Sequence, residues 1–93
     1  MRELVDTARF RRDLRRELKG QYRKVVLTEL NPIIDLLRLD APLPVRLQDH
    51  PLTGNLNDHR DLHLRPDFLL IYRKPSPQTL QLVRLGTHSE LGF

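Results

Sequence analysis

The chain has 93 residues, 39% hydrophobic and 30% charged, with no cysteine. That length holds one domain over residues 1–93, and the composition excludes a disordered chain, a disulfide framework and a thiolate metal site. Sixteen Lys and Arg against twelve Asp and Glu leave a net charge of +4, a balance that attracts phosphate-rich partners. The longest apolar run, Phe68 to Tyr72, is far too short to cross a bilayer, and the Met-Arg-Glu start does not resemble a signal peptide. A cytoplasmic location without membrane contact is therefore expected. Residues 1–40 carry ten basic and seven acidic groups, whereas all four histidines lie in the nearly balanced remainder.

In chain order, residues 2–5 suit a short strand through Leu4 and Val5. Thr7 suits an N-cap, because its hydroxyl can accept from an unpaired first-turn amide. Phe10, Leu14 and Leu18 then recur every four residues and mark the buried stripe of a helix. Arg11, Arg12, Arg15 and Arg16 cover the rest of its surface, either as a solvated face or as a contact for a phosphate-rich partner. Gly20 weakens the continuation. A second helix is expected within 28–39, with Asn31-Pro32 or Thr28 at its start. Ala41-Pro42-Leu43-Pro44 ends the helical part, since proline lacks an amide donor and pushes its predecessor to extended geometry. Residues 45–58, with Pro51 and Gly54, read as a mobile loop. Strands follow over roughly 59–65, 67–74 and 79–85, the last two joined by Pro75-Ser76-Pro77-Gln78. The order β-α-α-β-β-β predicts an α+β domain, two helices packed on one face of a mostly antiparallel four-stranded sheet.

Strand parity places His59, Asp61 and His63 on one face of the first of these strands, with Leu62 and Leu64 toward the helices. An ordinary polar face is one explanation. A metal site is another, but four residues of strand span about 13 Å, too wide for His59 and His63 to share one ion through bonds of about 2 Å. No metal or other cofactor is therefore expected. The third explanation is acid–base chemistry on RNA, whose own 2′-hydroxyl supplies the nucleophile. Imidazole serves as base or acid near neutral pH. Asp67 is placed to orient an imidazole, and Arg84 to hold a phosphate as a bidentate donor.

Read together, the segments Asp49-His50-Pro51-Leu52-Thr53-Gly54, Arg60-Asp61-Leu62-His63, Pro66-Asp67-Phe68-Leu69-Leu70-Ile71-Tyr72 and Arg84-Leu85-Gly86-Thr87-His88-Ser89-Glu90-Leu91 make a spaced pattern over residues 40–91. It resembles the YafQ branch of the RelE/ParE superfamily of toxins. The resemblance implies a metal-independent, ribosome-dependent endoribonuclease that cuts translated mRNA in the ribosomal A site and is neutralised by a cognate antitoxin. It implies His50, His63, Asp67 and His88 as the catalytic set, assisted by Arg84 and the C-terminal aromatic, Phe93. His59 matches no functional position and is read as surface. Phe93 falls one residue later than in the family pattern, with Gly92 in its place. Two other functions fit the same scaffold: DNA gyrase inhibition of the ParE type, and RNA or ribosome binding without catalysis.

Overall fold

Five strands form one sheet in the order β1-β5-β4-β3-β2 in a computed structural model that describes residues 1–93. Strand β1 (Glu3–Asp6) runs parallel to β5 (Thr79–Gly86), and β3 (Arg60–Arg65), β4 (Phe68–Ser76) and β5 are antiparallel neighbours. The expected four strands are all present. The fifth, β2 (His50–Pro51), is a two-residue strand that pairs with Asp61 and Arg60. Strand β4 is apolar on both faces, as a central strand should be, with Phe68 to Tyr72 all buried.

Helix α1 (Ala8–Glu17) begins where the sequence indicates: Thr7 Oγ1 accepts from the Phe10 amide at 2.9 Å and donates to the Val83 carbonyl at 2.7 Å. Its buried stripe differs from the expectation. Phe10 is buried, but Leu14 and Leu18 only lean on the core, while Asp13 and Glu17 are 3% and 4% exposed. The reason lies at the edge of β5. Strand β1 covers that edge only from Thr79 to Leu82, and the remaining polar backbone must find partners elsewhere. Asp13 Oδ2 accepts from the Leu85 amide at 3.0 Å, and Arg16 Nη2 donates to the Leu85 carbonyl at 2.9 Å. Side chains of α1 thus replace the missing strand.

The second helix starts earlier than expected. Helical turns run from α2 (Arg23–Val25) through a π turn (Val26–Leu30) into α3 (Asn31–Arg38). Neither Thr28 nor Asn31 is a cap; Thr28 back-bonds to the Lys24 carbonyl, and Leu30 and Asn31 keep right-handed helical angles. Pro32 has no amide hydrogen for the ladder, and the wider π turn immediately before it absorbs that defect without ending the helix. Tyr22, stacked on Phe68 at 4.4 Å between ring centroids, fixes the entry. One core gathers Phe10, Val25, Val26, Leu30, Ile33, Ile34 and Leu37 from the helices against Leu62, Leu64, Phe68, Leu70, Tyr72, Leu80, Leu82 and Leu85 of the sheet. The opposite sheet face carries His63 and Asp61.

Candidate active site

The 45–58 segment is anchored rather than free. A 3₁₀ turn (Val45–Leu47) sinks Leu47 fully into the core, and Gln48 turns the chain with φ of 50°. Asp49 then accepts from Arg60 Nε and Nη2, the latter at 2.9 Å, and from the buried Tyr72 hydroxyl. Burial and the adjacent Asp49 carboxylate push the Tyr72 hydroxyl well above its ordinary range, so it acts as a fixed donor. These bonds set the register of β2, and β2 places His50 opposite Asp61. His50 is therefore positioned by contacts within the chain itself.

His50 Nδ1 lies 2.7 Å from the Gln48 carbonyl, so that nitrogen carries a proton and Nε2 is turned inward, 3.0 Å from Asp61 Oδ1. The contact is within ion-pair range but poorly aligned, and Asp61 Oδ1 has no true hydrogen-bond partner although the residue is 4% exposed. Burial raises the Asp61 carboxyl above its ordinary range, more than the nearby imidazoles of His50 and His63 lower it. The unpartnered oxygen thus faces the inward Nε2 with no other polar partner.

His63 stands between two other rings, its centroid 6.0 Å from His50 and 5.9 Å from His88. His88 opens a short helix, α4 (His88–Leu91), which the sequence reading missed. The signal was legible: Thr87 and Glu90 form a reciprocal capping box, with the Thr87 hydroxyl accepting from the Glu90 amide and Glu90 accepting from the Thr87 amide. Asp67 Oδ1 receives both the His88 amide, at 2.9 Å, and His88 Nδ1, at 2.5 Å. Those two bonds hold the Asp67 carboxyl below its ordinary range and leave His88 Nε2 facing away from its anchor. This is the geometry of a carboxylate that orients a proton-transferring imidazole.

Gly92, at φ of 79°, ends α4 in a left-handed cap, and the Phe93 amide bonds back to the His88 carbonyl at 2.8 Å. Phe93 is thereby folded back to line a cavity of about 240 Å³ with Leu56, Ile71, Val83, Leu91, Arg9 and Arg84. Arg84 does not stand free. Its Nε is 2.7 Å from Asp13 Oδ2 and its Nη2 bonds Asp13 Oδ1. Arg84, Arg9, Arg12 and Arg16 line a neighbouring polar cleft. Of the four arginines singled out on α1, Arg12 and Arg15 are exposed with no carboxylate partner, Arg11 pairs with Asp6 at 2.6 Å, and Arg16 is engaged by three carboxylates. His59 pairs with Asp58 at 2.7 Å and takes no part in the cluster.

Strand spacing separates His59 from His63, but the fold assembles another donor set that the sequence did not suggest. One ligand atom from each of His50, Asp61 and His63 lies within 4.8 Å of the others, so a modest closing of the imidazoles would bring all three onto one transition metal ion.

Residues 2–92 match the family model described as the bacterial toxin of type II toxin-antitoxin system, YafQ. The chain is 38% identical over 85 residues to the mRNA interferase toxin YafQ of Escherichia coli K12, covering 81% of this chain and 91% of that protein. Its backbone is similar to the E. coli DinJ–YafQ complex structure (32% identity, TM-score 0.81, 98% of both chains). A metal-bound toxin from Helicobacter pylori is also similar, at 41% identity and a TM-score of 0.83 over 98% of this chain and 99% of that one. The chain therefore belongs to the YafQ family of toxins of type II toxin–antitoxin systems.

Proposed function

We propose that this toxin is an mRNA interferase that cuts translated message in the ribosomal A site, using the RNA 2′-hydroxyl as nucleophile, and that a DinJ-like antitoxin neutralises it. The observation that carries this reading is the row of three imidazoles, 6.0 and 5.9 Å apart, on the open sheet face. Two proton-transfer groups are what the reaction needs: a base for the 2′-hydroxyl and an acid for the departing 5′-oxygen. His88, oriented through Nδ1 by Asp67, presents Nε2 for one role. His63, in the centre, is within one nucleotide's reach of both neighbours and takes the other. His50 Nε2 and Asp61 Oδ1, 3.0 Å apart, lie beside it. The scissile phosphate is held by Arg84, whose Nη1 has no partner within the chain, with the RNA backbone passing the cleft of Arg9 and Arg12. The exposed Arg11, Arg12 and Arg15 face ribosomal RNA.

Translating ribosomes incubated with the protein should yield message fragments with 5′-hydroxyl ends, and 2′,3′-cyclic or 3′-phosphates on the upstream piece. A 5′-phosphate product, or cutting that persists with a 2′-deoxynucleotide at the cleaved position, would sink the nucleophile assignment. Stalled translation with intact message would favour a silent binder.

A further inference from the structure

Arg16 lies among exposed arginines but is held unlike them. Its Nε is 2.7 Å from Glu17 Oε2 and 3.0 Å from Glu90 Oε2; its Nη1 is 3.0 Å from Asp13 Oδ1; its Nη2 donates to the Leu85 carbonyl. All three guanidinium nitrogens are used within the chain, so Arg16 offers little to an outside phosphate. The packing at Gly86 shows how tightly this group sits on β5. A Cβ there would meet Arg16 Nη2 at 2.8 Å and Glu90 Oε1 at 3.0 Å, so the guanidinium and carboxylate occupy the space of a side chain.

Glu90 belongs to two structures at once. One oxygen caps α4 through the Thr87 amide, and the other pairs with Arg16. A helix of one turn has no stability of its own. Helix α4 is therefore held at its front by Asp67 on the His88 amide and at its back by Arg16 on Glu90. Glu17, 4% exposed beneath them, fixes the direction of Arg16 Nε.

We propose that Arg16, backed by Glu17, is a positioning residue for His88: it holds α4 where the His88 ring meets Asp67 and stands beside His63. This rests on the catalytic reading above. Arg16 acts through Glu90 and touches no reacting atom, so its effect belongs in the rate of the chemical step and not in substrate binding. Remote misplacement of a catalytic group by about 1 Å costs up to about 100-fold in rate.

The test measures single-turnover cleavage against the concentration of message-programmed ribosomes, with circular dichroism on every variant. Arg16→Ala should lower the maximal rate by about 10- to 100-fold with KM little changed. Arg15→Ala, one residue away, should instead raise KM. In a His88→Ala background, Arg16→Ala should cost nothing further, because the group it positions is gone; Arg16→Lys should restore part of the loss. If Arg16→Ala behaves like Arg15→Ala, or loses the same factor with and without His88, the proposal is overturned. Should Arg16→Ala fail to fold, Glu90→Gln keeps the cap acceptor and removes the charge that Arg16 holds. A rate loss confined to the His88-containing background then supports the proposal, and no loss refutes it. Wild-type cleavage by His88→Ala refutes the catalytic reading itself, whereas a wild-type rate for Arg16→Ala beside an inactive His88→Ala refutes only this inference.

Discussion

Each imidazole of the cluster is held by a different kind of partner: His50 by a backbone carbonyl, His88 by a carboxylate, and His63 by the long 3.3 Å approach of the Pro66 carbonyl to its Nδ1. The loosely held central ring is the one best able to follow a proton. Removing one member of a general acid–base pair typically costs about 10²–10⁴-fold in rate. His63→Ala and His88→Ala should each lose activity on that scale, with growth arrest on induced expression abolished. His59→Ala should keep full toxicity, because His59 pairs only with Asp58. Folded His63→Ala and His88→Ala variants that still arrest growth would reduce the cluster to a polar surface. The sequence resemblance supplied His50, His63, Asp67 and His88, and parity put Asp61 on the face of His63. It gave no sign that Asp61 is buried with an unpartnered oxygen, because burial depends on distant segments, among them β2, which sets His50 opposite Asp61.

At the scale of elements, α1 serves as a partner strand for the open end of β5 as well as a layer of core. Burial alone would raise the Asp13 carboxyl, but hydrogen bonds from Arg84 and the Leu85 amide outweigh it and hold the group below its ordinary value. A depressed folded pKa contributes stability that is present above the unfolded value, about 4, and is lost as pH falls through the folded one. Glu17 has the opposite sign. Burial and the neighbouring Glu90 carboxylate raise it despite Arg16, so its contribution is present below the unfolded value and fades as pH rises through the folded one. Asp13→Ala should therefore destabilise the fold by about 3 kcal/mol at neutral pH, the scale of breaking a buried pair, with the gap narrowing below about pH 4. Glu17→Gln should be neutral or stabilising at pH 7, and indistinguishable from wild type once acid protonates Glu17. Thermal melts across a pH series decide this; an Asp13→Ala deficit independent of pH would show that lost packing, not charge, is responsible.

For the whole molecule, the basic excess of the first forty residues divides by function. Arg16 is committed to the α4 clamp, and Arg2 and Arg38 tie the N-terminal strand to the end of α3. Among the basic residues left for an outside polyanion are Arg12 and Arg15, which have no carboxylate partner, and Arg11, exposed beside Asp6. Replacing these three by Gln should leave the melting temperature nearly unchanged and weaken ribosome association. The log–log salt slope should flatten by about one unit for each arginine that meets a phosphate. Binding that keeps the wild-type slope would return them to the role of a solvated face.

Residue order alone was enough for four of the five strands, for helix α1 and for the chemistry of their side chains. Hydrophobic periodicity, proline positions and the Thr7 cap act over a few neighbours, and local interactions of that range can be read from residue order. The alternation of Asp61 with Leu62 and of His63 with Leu64 likewise fixed which sheet face stays open. Tertiary structure alone decided the rest, because it depends on which distant segments meet. The two-residue β2 exists only because Asp49 finds Arg60 and Tyr72, and two residues have no periodicity to detect. The helix passes through Pro32 because packing against the sheet outweighs one missing amide bond. Asp13 and Glu17 are buried because β1 stops short of the end of β5, leaving polar backbone that only charged side chains of α1 are placed to satisfy.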